Sequence, residues 1–146
     1  MSRVLAIDHG SRRIGLAVGE TETSLAFARP ALVRKRFTDD VAAVAQLMRD
    51  EGIASVIVGL PLNMDGSEGA QAAAARRFGA ELAKEGLAVA FADERLTSWQ
   101  ARRELAAAGR RPGRASGEVD SAAARLLLQE YLDARRLPAG ESKEAE

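Results

Sequence analysis

The chain has no cysteine and a single histidine, His9. The first absence excludes a disulfide framework, a thiolate zinc site and a cysteine nucleophile. The second leaves too few imidazoles for histidine-rich zinc chemistry. A metal ion held here would sit on oxygen ligands, which selects a hard cation. Aromatic residues are scarce, 4% of 146 residues, whereas apolar residues make up 47%. The core is therefore built from Ala, Val and Leu, which favours helices packed tightly on a sheet over a wide aromatic-lined cavity. There is no excess of one charge: 21 basic residues balance 21 acidic ones. Nucleic acid, if bound, is then held by a local patch and not by the overall field. The first apolar run, Val4–Ile7, ends at Asp8 and is too short for a signal core or a membrane span. A soluble, cytoplasmic protein with no membrane partner is expected.

Val4–Ile7 reads as a buried strand stopping at Asp8, with Gly10 and Ser11 as the turn and Ile14–Val18 as the return strand. Leu25–Val33 is a third strand, in which Pro30 predicts an edge position or a bulge. The rhythm then becomes helical. Thr38, Asp39 and Asp40 open a helix that carries Val41, Val44, Ala45 and Met48 inward and stops at Gly52. Ile53–Val58 is a strand, Gly59–Gly66 a loop, Ser67–Glu85 an Ala-rich helix with Ser67 as its cap, and Leu87–Ala92 a strand ending in Asp93-Glu94. Thr97 and Gln100 form a capping box for a helix through Ala108, followed by a basic loop from Gly109 to Gly117. The last helix places Asp120, Ala123, Ala124, Leu127, Leu128 and Tyr131 on one face. The order βββ-α-β-α-β-α-α predicts an α/β fold with a mixed five-stranded sheet, an antiparallel meander plus parallel strands, and helices on both faces. That is the element order of a ribonuclease H-like domain, here over residues 1–137. From Pro138 onward a Gly-, Glu-, Lys- and Ser-rich tail, 138–146, is expected to be disordered.

Three acids stand where a ligand crevice forms in such sheets: Asp8 and Glu94 at strand ends, and Asp120 in the first turn of the last helix. Asp120 could equally serve its helix N-terminus, and Asp93-Glu94 could be ordinary turn acids. Asp8 is harder to explain that way, because it follows a buried strand directly. Three converging carboxylates repel one another unless a cation lies between them.

Four segments, Asp8–Val18, Gly59–Ser67, Asp93–Ser98 and Val119–Ala124, resemble in order the motif blocks of the YqgF/RuvX family of pre-16S rRNA nucleases and Holliday junction resolvase-like proteins. The resemblance spans Val4 to about Leu132. It implies that Asp8, Glu94 and Asp120 are metal-binding catalytic acids, with Mg²⁺ or Mn²⁺ in a two-ion site suited to phosphoryl displacement. Asp93 and Glu94 should point to opposite faces, and the resemblance selects Glu94. The family usually carries an aromatic residue where this chain has His9, so His9 is expected to tune a neighbouring acid.

Arg12, Arg13, Asn63 and Arg95 lie close to these acids and are candidate phosphate or sugar contacts. Arg110, Arg111 and Arg114, interleaved with Gly and Pro and free of acids, suit a phosphate backbone. Arg102 and Arg103 flank the same crevice, and Trp99 reads as core. The expected activity is metal-dependent hydrolysis of phosphodiester bonds, at the 5′ end of pre-16S rRNA or in branched DNA; symmetric junction cleavage would need a homodimer. Two other readings are a non-catalytic ribosome-assembly factor that binds nucleic acid and a single-domain actin-like nucleotide binder.

Overall fold

In the computed structural model, residues 2–93 and 118–135 are described, the side chains of 118–120 excepted. Five strands form one sheet: β1 (Arg3–His9), β2 (Arg13–Glu20), β3 (Leu25–Val33), β4 (Ser55–Leu60) and β5 (Ala88–Asp93). Their spatial order is β3-β2-β1-β4-β5. The hairpin β1-β2 and the pair β2-β3 are antiparallel, whereas β4 joins β1, and β5 joins β4, in parallel. Among the described residues three helices pack on this sheet, α1 (Phe37–Glu51), α2 (Ala70–Lys84) and α3 (Glu118–Arg135).

The strand period of two sorts the central residues between two cores. Leu5, Ile7, Leu16, Val18, Val56 and Val58 meet Val41, Val44 and Met48 of α1 and Phe78 and Leu82 of α2. Val4, Ala6, Ala17 and Ile57 meet Ala124, Leu127, Leu128 and Leu132 of α3. Helices thus cover both faces, as the element order predicts. Short side chains on the second face let α3 lie close. A Cβ added at Gly19 would fall 2.8 Å from the Leu25 carbonyl oxygen and 2.9 Å from Leu132 Cδ1.

Pro30 is both on an edge strand and at a bulge. β3 is outermost, and its register against β2 shifts where Ile14 pairs Leu32 while Leu16 pairs Arg29. The extra residue bends the strand, and proline costs no ladder bond there. The edge is partly sealed by α3. Gln129 accepts from the Ala26 N–H at 3.1 Å and donates to the Ser24 carbonyl at 2.6 Å, while Ser121 Oγ donates to the Arg29 carbonyl at 2.7 Å.

Some boundaries differ from the sequence expectation. β1 runs two residues past Ile7, because Asp8 and His9 still pair Gly15 and Ile14. β4 begins at Ser55, since Ile53 closes α1: its N–H reaches the Met48 carbonyl at 2.8 Å behind Gly52, whose φ is 67°. Ser67 does not cap α2, which starts at Ala70 behind Gly69. Asp65 accepts both the Ser67 N–H at 2.9 Å and its hydroxyl at 2.6 Å, a local turn that competes with capping. The expected helix from Thr97, the basic loop after it and the tail 138–146 lie outside the described residues.

Candidate functional site

The parallel strands β1, β4 and β5 end at one edge of the sheet, and β3, antiparallel to β2, returns to that same edge. Asp8 lies there, on the central strand and only 7% exposed. It shares its parity with Val4 and Ala6 and therefore faces α3. Its β2 partner is Gly15, and on the β4 side Gly59 follows Val58, the partner of Ile7. Neither glycine carries a side chain, so the two positions level with Asp8 on the neighbouring strands are bare backbone.

The polar contacts of α3 fix its direction. Ser121, in its first turn, bonds at Arg29, level with Leu16 and Ile7, whereas Gln129 bonds at Ser24 and Ala26, level with the amino end of β1. The helix therefore starts at the carboxyl edge of β1, on the face of Asp8. Asp120 immediately precedes Ser121, so its backbone lies at the same edge and on the same face of the sheet as Asp8. Glu94 and Arg95 lie outside the described residues, as do Arg110, Arg111 and Arg114. Asp93, the last residue of β5, has the parity of Val89 and Phe91, which pack against Gly79 of α2. It belongs to the face opposite Asp8.

His9 also belongs to that opposite face. Its ring centroid lies 4.8 Å from that of Phe78, and it is 3% exposed. Burial, with the nearby Arg34 cation, lowers its pKa to about 4. The imidazole is therefore neutral near pH 7, and its acidic neighbour is Asp40, not Asp8. The ring packs on Phe78, a contact that the sequence reading did not expect.

Asn63 closes its own loop. Its side-chain N–H donates to Ser67 Oγ at 2.9 Å, and its backbone N–H and carbonyl pair with Ser67 and Gly66. Arg12 and Arg13 line a cleft of about 500 Å³ together with Ser11, Val33, Arg34 and Lys35. Arg34 and Lys35 escaped the sequence reading. The available signal was the run Arg34-Lys35-Arg36 directly after a strand that must end at the same edge as β1.

A mixed sheet led by an antiparallel meander, with a buried carboxylate ending its central strand, defines a ribonuclease H-like domain. The same architecture is found in "T. thermophilus RuvC in complex with Holliday junction substrate", at a TM-score of 0.57 and 18% identity, with 92% of this chain and 96% of that one covered. The family model RuvX, described as Holliday junction resolvase, matches residues 2–134, and the chain belongs to this family. A protein of Anaeromyxobacter dehalogenans (strain 2CP-1 / ATCC BAA-258) named "Putative pre-16S rRNA nuclease" is 44% identical over 137 residues, 93% of this chain and 99% of its own length. A protein of the same name from Synechococcus sp. (strain ATCC 27144 / PCC 6301 / SAUG 1402/1) is 39% identical over 135 residues, 92% of this chain and 91% of its own. Among the described residues, no helix is long and apolar enough to cross a membrane.

Proposed function

We propose that this protein is a divalent-metal-dependent nuclease that hydrolyses phosphodiester bonds of nucleic acid, with pre-16S rRNA as its substrate. The observation that carries the reading is the placement of Asp8, buried at the carboxyl end of the central strand, at the edge and on the face where α3 begins. The names of the relatives favour RNA; the family description and the junction-bound structural neighbour keep branched DNA as the second substrate to test.

Asp8, Glu94 and Asp120 are the residues that would hold Mg²⁺ or Mn²⁺, in a two-ion arrangement. The donor set fits: it is all carboxylate, and the sole imidazole faces the other side of the sheet. Bound metal supplies positive charge for the developing oxyanion and lowers the pKa of the attacking water. The orientation of Asp93 toward α2 supports Glu94 as the acid that serves the Asp8 side. Arg12, Arg13 and Arg95 would hold phosphates near the acids, with Arg110, Arg111 and Arg114 on the backbone farther out. Asn63, in the loop that follows β4, would contact a phosphate or sugar.

The test is a cleavage assay with Mn²⁺ on single-stranded RNA and on a four-way DNA junction in parallel. Asp8→Asn, nearly isosteric but a poor bridging ligand, should lose on the order of a thousandfold in rate while keeping the wild-type unfolding curve. Near-normal cleavage by that variant would remove Asp8 from the site.

A further inference from the structure

The charges of the described surface are distributed unevenly. Arg3, Arg29, Arg49, Arg76 and Lys84 each have a glutamate carboxylate within 4 Å. Arg12 and Lys35 have none among the described residues, although the sequence holds as many acids as bases. Both are exposed, and both line the cleft between the β1-β2 turn and the end of β3.

The cleft is also built from beneath. Asp40, 4% exposed in the first turn of α1, accepts the Lys35 backbone N–H at 3.0 Å and lies 3.6 Å from Arg34 Nε. Arg34 Nη1 donates to the Gly10 carbonyl at 3.1 Å, and the Arg34 N–H pairs with the Arg12 carbonyl at 2.9 Å. The turn bearing Arg12 and the segment bearing Lys35 are thus tied together through Arg34. Arg34 Nε and Asp40 Oδ2 are buried and have no hydrogen-bond partner. Such a pair keeps a guanidinium fixed at the mouth without neutralising it by a full bidentate contact.

The geometry points to a phosphate-binding cleft, formed by Ser11, Arg12, Arg13, Arg34 and Lys35, that grips the nucleic-acid backbone beside the scissile bond and without reading sequence. Arg12 and Arg13 extend the nuclease reading above, while Arg34, Lys35 and the supporting role of Asp40 are additions to it. Among the described residues no aromatic ring lines the cleft, so they offer no platform on which a base could stack. Its cations and the Ser11 hydroxyl suit phosphate oxygens. Arg13 stands two residues along β2 from Gly15, the partner of Asp8, which is roughly 7 Å of strand. At about 3.4 Å of duplex axis per phosphate, that is two nucleotides from the bond held at Asp8.

The experiment measures binding of fluorescently labelled single-stranded RNA and of a labelled four-way DNA junction across a salt series, in EDTA so that nothing is cleaved. Arg12→Ala with Lys35→Ala should flatten the log–log salt slope by roughly 1.4 on RNA and roughly 1.8 on duplex arms, equally for every sequence tried. Arg49→Ala with Lys84→Ala removes the same charge at carboxylate-paired positions and should leave the slope unchanged. An unchanged slope in the first variant, or an equal flattening in the second, overturns the cleft. The nuclease reading is judged separately by cleavage with Mn²⁺. A wild type that binds with the expected slope change but cleaves nothing sinks that reading and leaves the cleft standing; cleavage with no slope change does the reverse.

Discussion

Asp8 and His9 are neighbours in the chain and lie on opposite faces of the sheet. Strand alternation sends the carboxylate toward α3 and the imidazole onto Phe78 of α2. The acid that acts on His9 is Asp40, which no spacing in the sequence linked to it. The same alternation separates Asp93 from the side Asp8 occupies. Asp93→Asn should therefore retain most of the cleavage rate, whereas Glu94→Gln should lose on the order of a thousandfold, as Asp8→Asn does. Single-turnover rates with Mn²⁺ decide the matter. An essential Asp93 beside a dispensable Glu94 would reverse the assignment. Asp8 was readable from the sequence because a charge directly after four apolar strand residues is rare. Asp40 was not, because an acid in the first turn of a helix has an ordinary explanation in the helix dipole.

Among the described elements, α3 matters most to the proposed site, because it carries the backbone of Asp120 to the edge at which β1 ends. Its seat depends on the small residues that β2 turns toward it, Gly15, Ala17 and Gly19. At Gly19 an added methyl group would meet the Leu25 carbonyl oxygen, Leu132 and Leu128 at 2.8, 2.9 and 3.1 Å. The carbonyl belongs to the paired strand and cannot rotate aside as a leucine tip can. Gly19→Ala should therefore destabilise the fold by about 1–3 kcal/mol, read as a lower urea midpoint at unchanged slope. A variant as stable as the wild type would mean that α3 can shift at no cost. The helix itself was legible in the Ala and Leu spacing, and so was the face it buries. Its direction across the sheet was not. Ser121 and Gln129 settle that through bonds to backbone groups of β3, which leave no periodic trace in the sequence.

Across the whole molecule, Glu51 at the end of α1 joins the two edges of the meander. It accepts both guanidinium arms of Arg29 on β3, at 2.9 and 2.7 Å, and one from Arg3 on β1 at 3.3 Å. The hydrogen bonds from Arg29 hold its carboxyl below the ordinary glutamate range. The folded state thus binds this proton less readily than the unfolded chain. The stabilisation is present above the unfolded value and is lost as pH falls through the folded one. Because the pair is only partly buried, Glu51→Gln should cost no more than about 1 kcal/mol at pH 7. The gap to wild type should close on acidification below pH ~4. Thermal unfolding at a series of pH values checks this, and a gap that persists in acid would place the loss in packing instead of charge.

Composition and periodicity alone restricted any metal ligands to oxygen and determined the five strands, the described helices, and the two faces that become core. Those depend on local rules: which side chains are present, and whether the apolar ones recur every two residues or every three to four. The cleft between the β1-β2 turn and the end of β3 was decided by tertiary structure. Arg12 and Lys35 are separated by a full hairpin arm in sequence, and only the antiparallel return of β3, with Arg34 tied to Gly10 and Asp40 beneath, sets them side by side. Long-range placement of this kind follows from strand pairing and helix seating, which the linear order of charges does not encode.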